Sequence, residues 1–553
     1  MNCTSPEKKK CLVITSLLLI LVSLPSLTAY SQDYNFFYRV YFRDKGTYTI
    51  SSFSAEYLLS QRAIERRQES GIDVPVYSDL PVFSEYTDQL KTMGFTLHGT
   101  SKWMNSALLK TKTEVDLSTV RSLPFVADAI LVKKPAGKSS FTDKLDLVDA
   151  ATSPPPFDIQ LTMLNGYHLH NAGYDGTGIL VAILDGGFTN ADKASSLSPL
   201  RNRDGIKLTY DFINKNSFVY SYHSHGMAVL SVLAGQVNGY LRGTAPGADF
   251  MLLRTEDGAS EFPVEEDYWT FAAEFADSAG ADIISSSLGY FQFDDPAMNY
   301  SFSDLDGNTA FVTRAADMAV SKGMLVVASA GNERNKNWIR IIAPSDGDSV
   351  LAAGAVDRYR TISSFSSAGP SADGRVKPDL SALGVEVMTQ TAEVLLTRLN
   401  GTSFSCPVLS GMSACLMEAV PQATASEIIE SLRAAGDRYY TPDSLYGYGI
   451  PDMNKALSIL QDKYLMRPEN ETIVRPNPFS DEFEILFNEA PGNIRIEIAN
   501  NAGVVVFLKD YGVYAGRSLI IRELAKRSPG LYFVRIVTAG GTFTHKIIKM
   551  PSE

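Results

Sequence analysis

From residue 158 to about 462, short apolar runs alternate with stretches of helical periodicity, and this alternation restricts the fold more than any other feature. "GILVAILDGG", "DFMLLR", "ADIISSSLG", "GMLVVASAGN" and "VLAAGAV" are apolar runs too short for ordinary helices. Such runs suit strands buried on both faces. "VEEDYWTFAAEFADSAG" and "NTAFVTRAADMAVSKG" fall between them with the apolar spacing of helices. Strands separated by helices predict an α/β domain over about residues 155–462, with a doubly wound, mainly parallel sheet. Ligands of such sheets collect beyond the carboxyl ends of the strands, so the residues that end each run become the candidates for chemistry.

The 553 residues exceed one ordinary domain, and the flanks read differently. "TSPPPFD" (152–158) marks a boundary, because consecutive prolines join neither a helix nor a central strand. Before it, residues 32–150 mix charged helical pieces such as "SAEYLLSQRAIERRQES" with strand-like "NFFYRVYF", an α+β pattern. After it, from "RPNPF" (475–479), "IRIEIANNAGVVVFL", "RSLIIREL" and "GLYFVRIVTAGGTFTHKIIKM" alternate about Gly- and Asn-rich turns. They predict a small all-β sandwich over 470–553.

Residues 1–31 have the form of an export signal. Lys8, Lys9 and Lys10 precede the apolar run "CLVITSLLLILVSL", with small residues for cleavage after Ala29 or Ser31. That run is shorter than the ~20 residues a spanning helix needs, so no transmembrane helix is expected in the mature chain. Cys3 and Cys11 would leave with the signal. Cys406 and Cys415 would lie about 13 Å apart along one helix, beyond the roughly 7 Å a disulfide spans, and read as core residues. With 50 basic against 62 acidic side chains, a net charge of −12, there is no footprint for nucleic acid.

Asp185 ends "ILVAILD" and Asn332 follows "MLVVASAG". In "LNGTSFSCPVLSGMSACLMEAV" (399–420) a turn-like Asn-Gly leads into a helical pattern, with Thr402 and Ser403 at the join and Pro407 placed near the helix start. Thr402 or Ser403 would serve as an ordinary N-cap. A serine at such a helix end can also attack a carbonyl while its own N–H holds the oxyanion, with Asn332 as a second donor. It then needs a base, most often histidine. Of six histidines, His98 lies in the first region and His545 in the last. His168 and His170 precede the strand to Asp185 and suit surface positions. His225 opens an apolar helical stretch and is preferred to His223, which sits in the loop before it.

These stretches resemble the subtilisin-like serine peptidases, the subtilases. "GTGILVAILDGG" is similar to the family's aspartate segment, "SHGMAVLSVLAG" to its histidine segment, "NGTSFSCPVLSG" to its serine segment and "VVASAGNE" to the one bearing its oxyanion asparagine. The order Asp, His, Ser is also the family's. The resemblance covers about 155–462 and implies a subtilisin-like fold and an Asp185–His225–Ser403 triad. It further implies an oxyanion hole of Asn332 and the Ser403 N–H, with "SSSLG" (285–289) offering Ser287, Leu288 and Gly289 as an edge strand to an extended peptide substrate. Met227 stands where threonine is usual and Ser405 where alanine is commoner. Activity is expected to rise between about pH 6 and 8, as the base becomes neutral. The implied function is a secreted serine endopeptidase working through an acyl-enzyme, without a cofactor. A structural calcium accords with the resemblance, but no loop offers a convincing oxygen-ligand spacing. The alternative is a catalytically inactive surface-binding protein on the same scaffold. Residues 32–150 stand where the family carries its pro-region. The last 80 or so residues resemble the C-terminal sorting domain of type IX secretion, which implies the export machinery as partner and the medium or outer surface of a Gram-negative bacterium as destination.

Overall fold

The computed structural model describes residues 36–135, 148–149, 158–464, 472–487, 490–516 and 518–551. The expected export signal and nearly all of the "TSPPPFD" boundary lie outside the described residues.

Seven parallel strands form the central sheet. Across it run Leu380–Leu383, Leu351–Val356, Leu325–Ser329, Ile283–Ser286, Leu180–Asp185, Asp249–Arg254 and Ile206–Asp211. The chain enters the sheet at the interior strand Leu180–Asp185, builds to one edge and back, then crosses to the other side. The connection therefore reverses beside Leu180–Asp185, and a site belongs at that strand's carboxyl end. All five apolar runs picked out in the sequence are strands of this sheet, buried along nearly their whole lengths. Helices Val264–Ala279 and Phe311–Ser321 also lie where the periodicity predicts. Helix Thr402–Ala419 is buried over almost its full length and packs against the sheet, which explains its apolar character on every face.

The N-terminal module is a four-stranded antiparallel sheet. Helices Ala55–Leu58 and Gln61–Glu69 accompany it, interrupted at Leu59 and Ser60, the latter capping the second. The module packs on helix Val264–Ala279 of the central domain through buried charge. Arg39 grips Asp267 with Nη2–Oδ2 at 2.7 Å, and Arg67 bridges Asp79 of its own module (2.7 Å) and Asp277 (2.6 Å). Val148–Asp149 then pairs antiparallel with Leu399 and Asn400, so the chain that leaves the module passes beside the start of helix Thr402–Ala419.

The C-terminal module consists of a three-stranded and a four-stranded sheet around their own apolar core. The predicted hairpins are Gly492–Asn500 with Val505–Tyr514 and Gly530–Thr538 with Gly541–Lys549. Among the described residues no helix is long and apolar enough to cross a membrane.

Candidate active site

Asp185 closes strand Leu180–Asp185 and is fully buried. Its Oδ1 accepts from the Gly186 N–H at 2.7 Å, and both carboxylate oxygens face Nδ1 of His225, at 3.0 and 2.9 Å. A carboxylate at Nδ1 assigns the proton of the neutral ring to that nitrogen and leaves Nε2 as the lone-pair side. Two glycines permit this approach. A Cβ on Gly226 would lie 2.6 Å from the Gly187 carbonyl and 2.9 Å from Asp185 Cβ, and Gly187 holds φ at +151°. Strand end and helix start can therefore touch only without side chains there. His225 is the first residue of helix His225–Ala234 and 4% exposed. Its backbone N–H donates to Nδ1 of His223 at 3.0 Å, which ties the ring of His223 to the start of this helix.

The other histidines belong elsewhere. His98 and His170 are buried with Nε2 3.0 Å from the carbonyls of Phe212 and Thr244. Burial pushes His98 down to about 4 and also lowers His170, which keeps both rings neutral. His545 meets Thr472 in the C-terminal module.

The imidazole of His225 lies 6.0 Å, centroid to centroid, from the ring of Phe404, which places it at the start of the helix that carries Ser403. The N-cap of that helix is Gly401, at φ +153°, and neither Thr402 nor Ser403 caps it. Pro407 is also deeper than the sequence suggests. The helix begins at Thr402, so Pro407 lacks the N–H that would bond the carbonyl of Ser403. Ser287 fills the gap, donating its hydroxyl to that carbonyl at 2.8 Å. Ser403 itself is 8% exposed, with Oγ 3.4 Å from the Ser287 carbonyl.

Asn332 is fixed by a residue that the sequence reading did not single out for this work. Its Oδ1 accepts from the N–H of Thr402 at 2.9 Å and from the Thr402 hydroxyl at 3.0 Å. A backbone N–H can only donate, so the oxygen must face it and Nδ2 must face away. The point where a Cβ on Gly401 would sit is 3.6 Å from both Asn332 Nδ2 and the Ser403 nitrogen. Two N–H groups therefore border one small volume beside the serine.

Residues 287–289 require a correction. Ile283–Ser286 pairs on both sides and is the middle strand of the sheet, not an edge. Ser287, Leu288 and Gly289 follow its end and belong to no strand of the sheet. Cys406 and Cys415 are buried free thiols, as expected, and burial pushes Cys406 up to about 11. Among the described residues no group of three or more His, Cys, Asp or Glu side chains is arranged to hold a metal ion.

A carboxylate-bound imidazole, a serine at a helix start and two converging N–H donors make up a set suited to acyl transfer. Comparison with known proteins agrees with this chemistry. Residues 176–449 match the subtilase family, residues 37–145 the peptidase S8 propeptide domain of Bacteroidota, and residues 474–550 a secretion system C-terminal sorting domain. Subtilisin DY of Bacillus licheniformis is 29% identical over 296 residues, which are 51% of this chain and 92% of that protein. Serine protease AprX of Bacillus subtilis (strain 168) is 26% identical, over 51% of this chain and 66% of its own. A crystal structure of MycP1 with its N-terminal propeptide removed aligns with a TM-score of 0.44 at 20% identity, over 55% of this chain and 97% of that one.

Proposed function

We propose, from the premise that this chain is a subtilase-family serine peptidase, that Asp185, His225 and Ser403 are its catalytic triad and that it is an exported endopeptidase made as a zymogen. Ser403 Oγ attacks a peptide carbonyl, and Nε2 of His225 takes its proton and returns it to the leaving amine. Asp185 remains ionised, holds the tautomer and stabilises the imidazolium. The Asn332 amide and the Ser403 N–H receive the negative charge that develops on the carbonyl oxygen. Water then releases the acyl group by the same path. These side chains suffice for the chemistry, and no cofactor takes part.

The single observation that carries this reading is the Nδ1 contact of His225 with both oxygens of Asp185, at the end of strand Leu180–Asp185 and beside the helix of Ser403. Ser287, Leu288 and Gly289 are read as the segment along which the substrate backbone lies. The N-terminal module acts as the pro-region, and its buried ion pairs with helix Val264–Ala279 support a role in shaping the central domain as it folds. The C-terminal sandwich directs the protein to the type IX export machinery and so to the medium or the outer surface.

Casein hydrolysis by the purified protein tests the peptidase directly. The wild type should cleave it, and Ser403→Ala should show no cleavage above background. Equal hydrolysis by both proteins would contradict the assignment.

A further inference from the structure

On the peptidase reading above, we infer that Ile342 is a specificity-determining residue, restricting the residue that supplies the scissile carbonyl to Gly, Ala or Ser. The carbonyl carbon must reach Ser403 Oγ while its oxygen meets Asn332 Nδ2 and the Ser403 N–H. Ser403 Oγ is 3.4 Å from the Ser287 carbonyl, and Asn332 directly follows Gly331. An acylating residue placed so would lie between the segment Ser287–Gly289 and the segment ending in Gly331 and Asn332, and the gap between them is the space its side chain would use.

Both walls of that gap are glycine, and such walls ordinarily leave room for a side chain. Here the room is taken. Ile342 Cγ1 lies 2.5 Å from where a Cβ on Gly289 would be, and its Cγ1 and Cδ1 each lie 3.0 Å from the corresponding point on Gly331. One isoleucine side chain therefore fills the space against both walls. It is only 8% exposed and cannot withdraw, because its backbone is tied on each side. The Ile342 N–H donates to the Ala330 carbonyl at 3.3 Å, and its carbonyl accepts from the Ser345 hydroxyl at 2.6 Å. Next to it, Ala343 exchanges backbone hydrogen bonds with Tyr290, at 2.8 and 3.2 Å. A β-branched side chain also has little rotamer freedom with which to make room. An incoming Phe, Leu or Tyr side chain meets a filled slot, whereas a methyl or hydroxymethyl group can lie over it.

The test is cleavage-site profiling by mass spectrometry on a library of proteome-derived peptides. The secreted full chain is expressed and left to process itself, with active sites counted by a fluorophosphonate. Wild type should cut after Gly, Ala and Ser, with kcat/KM on an Ala peptide exceeding that on its Phe counterpart by at least on the order of 100-fold. Ile342→Gly should bring that ratio to about 1 or below, with Ile342→Ala in between and available if the glycine variant does not fold. Wild-type cutting after Phe, Leu or Tyr as readily as after Ala overturns the role of Ile342 while leaving the peptidase intact. So does a profile that neither variant alters despite full fluorophosphonate labelling. Failure of the wild type to label or to cut any peptide defeats the peptidase reading instead.

Discussion

Thr402 gives Asn332 both of the hydrogen bonds that aim its amide, and it is seventy residues away along the chain. Asn332 could be read from the sequence because it ends an apolar run. Thr402 looked like a cap because nothing local to it shows which distant side chain it meets. If the amide serves the transition state, Asn332→Leu should lower kcat by about 10²–10³-fold with little change in KM, the range known for the corresponding donor of subtilisin. Thr402→Val keeps the backbone donor and loses the hydroxyl, so it should give a smaller fall of the same kind. Steady-state kinetics on a chromogenic peptide separate these outcomes from a loss of binding, which would raise KM and leave kcat alone. His223 is a similar case: the sequence places it beside His225, and only the fold shows that its Nδ1 receives the His225 N–H.

Helix Thr402–Ala419 and the strand end at Ser287 are joined by a compensation between a proline and a hydroxyl. Pro407 leaves the Ser403 carbonyl without its helical donor, and Ser287 supplies one. Ser287→Ala should therefore strand a buried carbonyl and cost about 1–3 kcal/mol. Pro407→Ala in that background returns an N–H to the helix and should recover much of the loss, whereas alone it should gain less. A double-mutant cycle on thermal midpoints, in a Ser403→Ala background that prevents autolysis, reads this coupling directly. Five of the seven strands were legible because burial on both faces leaves an unbroken apolar run. The other two were not. Ile206–Asp211 lies at the sheet edge with Lys207 and Leu208 exposed, and Leu380–Leu383 has four residues, one of them a serine. The resemblance implies an edge strand over 285–289, yet Ser285 and Ser286 are buried in the middle strand. Ser410 Oγ donates to Ser285 Oγ, and Trp269 Nε1 donates to Ser286 Oγ.

At the scale of the whole molecule, the N-terminal module is held by buried charge. "RAIERRQES" is legible in the sequence as a charged helical piece, and its Arg66 and Arg67 are buried against Asp277. Arg39 lies 3.4 Å over the Phe311 ring and is bound by Asp267, with Glu266 at 3.8 Å. Its removal would leave two buried carboxylates facing each other without a cation. Arg39→Ala should weaken docking by about 3–5 kcal/mol, measurable as faster dissociation of the module from a Ser403→Ala enzyme whose link to it is cut by an added protease. Burial pushes Glu266 up to about 7 from an ordinary 4.5, against the pull of Arg39. The folded chain thus holds a proton on Glu266 that the unfolded chain gives up, so this contribution to folding stability fades as pH rises from about 4.5 to 7. The thermal midpoint of a Ser403→Ala chain should accordingly be lower at pH 8 than at pH 5, and Glu266→Gln should flatten that dependence. A difference between the two chains that runs the other way would overturn this assignment.

In the proposed triad, residues 185, 225 and 403, far apart in the chain, converge at one strand end to make a serine into a nucleophile. Fluorophosphonate labelling of the purified protein, with the adduct mapped by mass spectrometry, tests it most directly. A single adduct on Ser403, lost in both His225→Ala and Ser403→Ala, is the predicted result. An adduct on another serine, or labelling of Ser403 undiminished by His225→Ala, would contradict it.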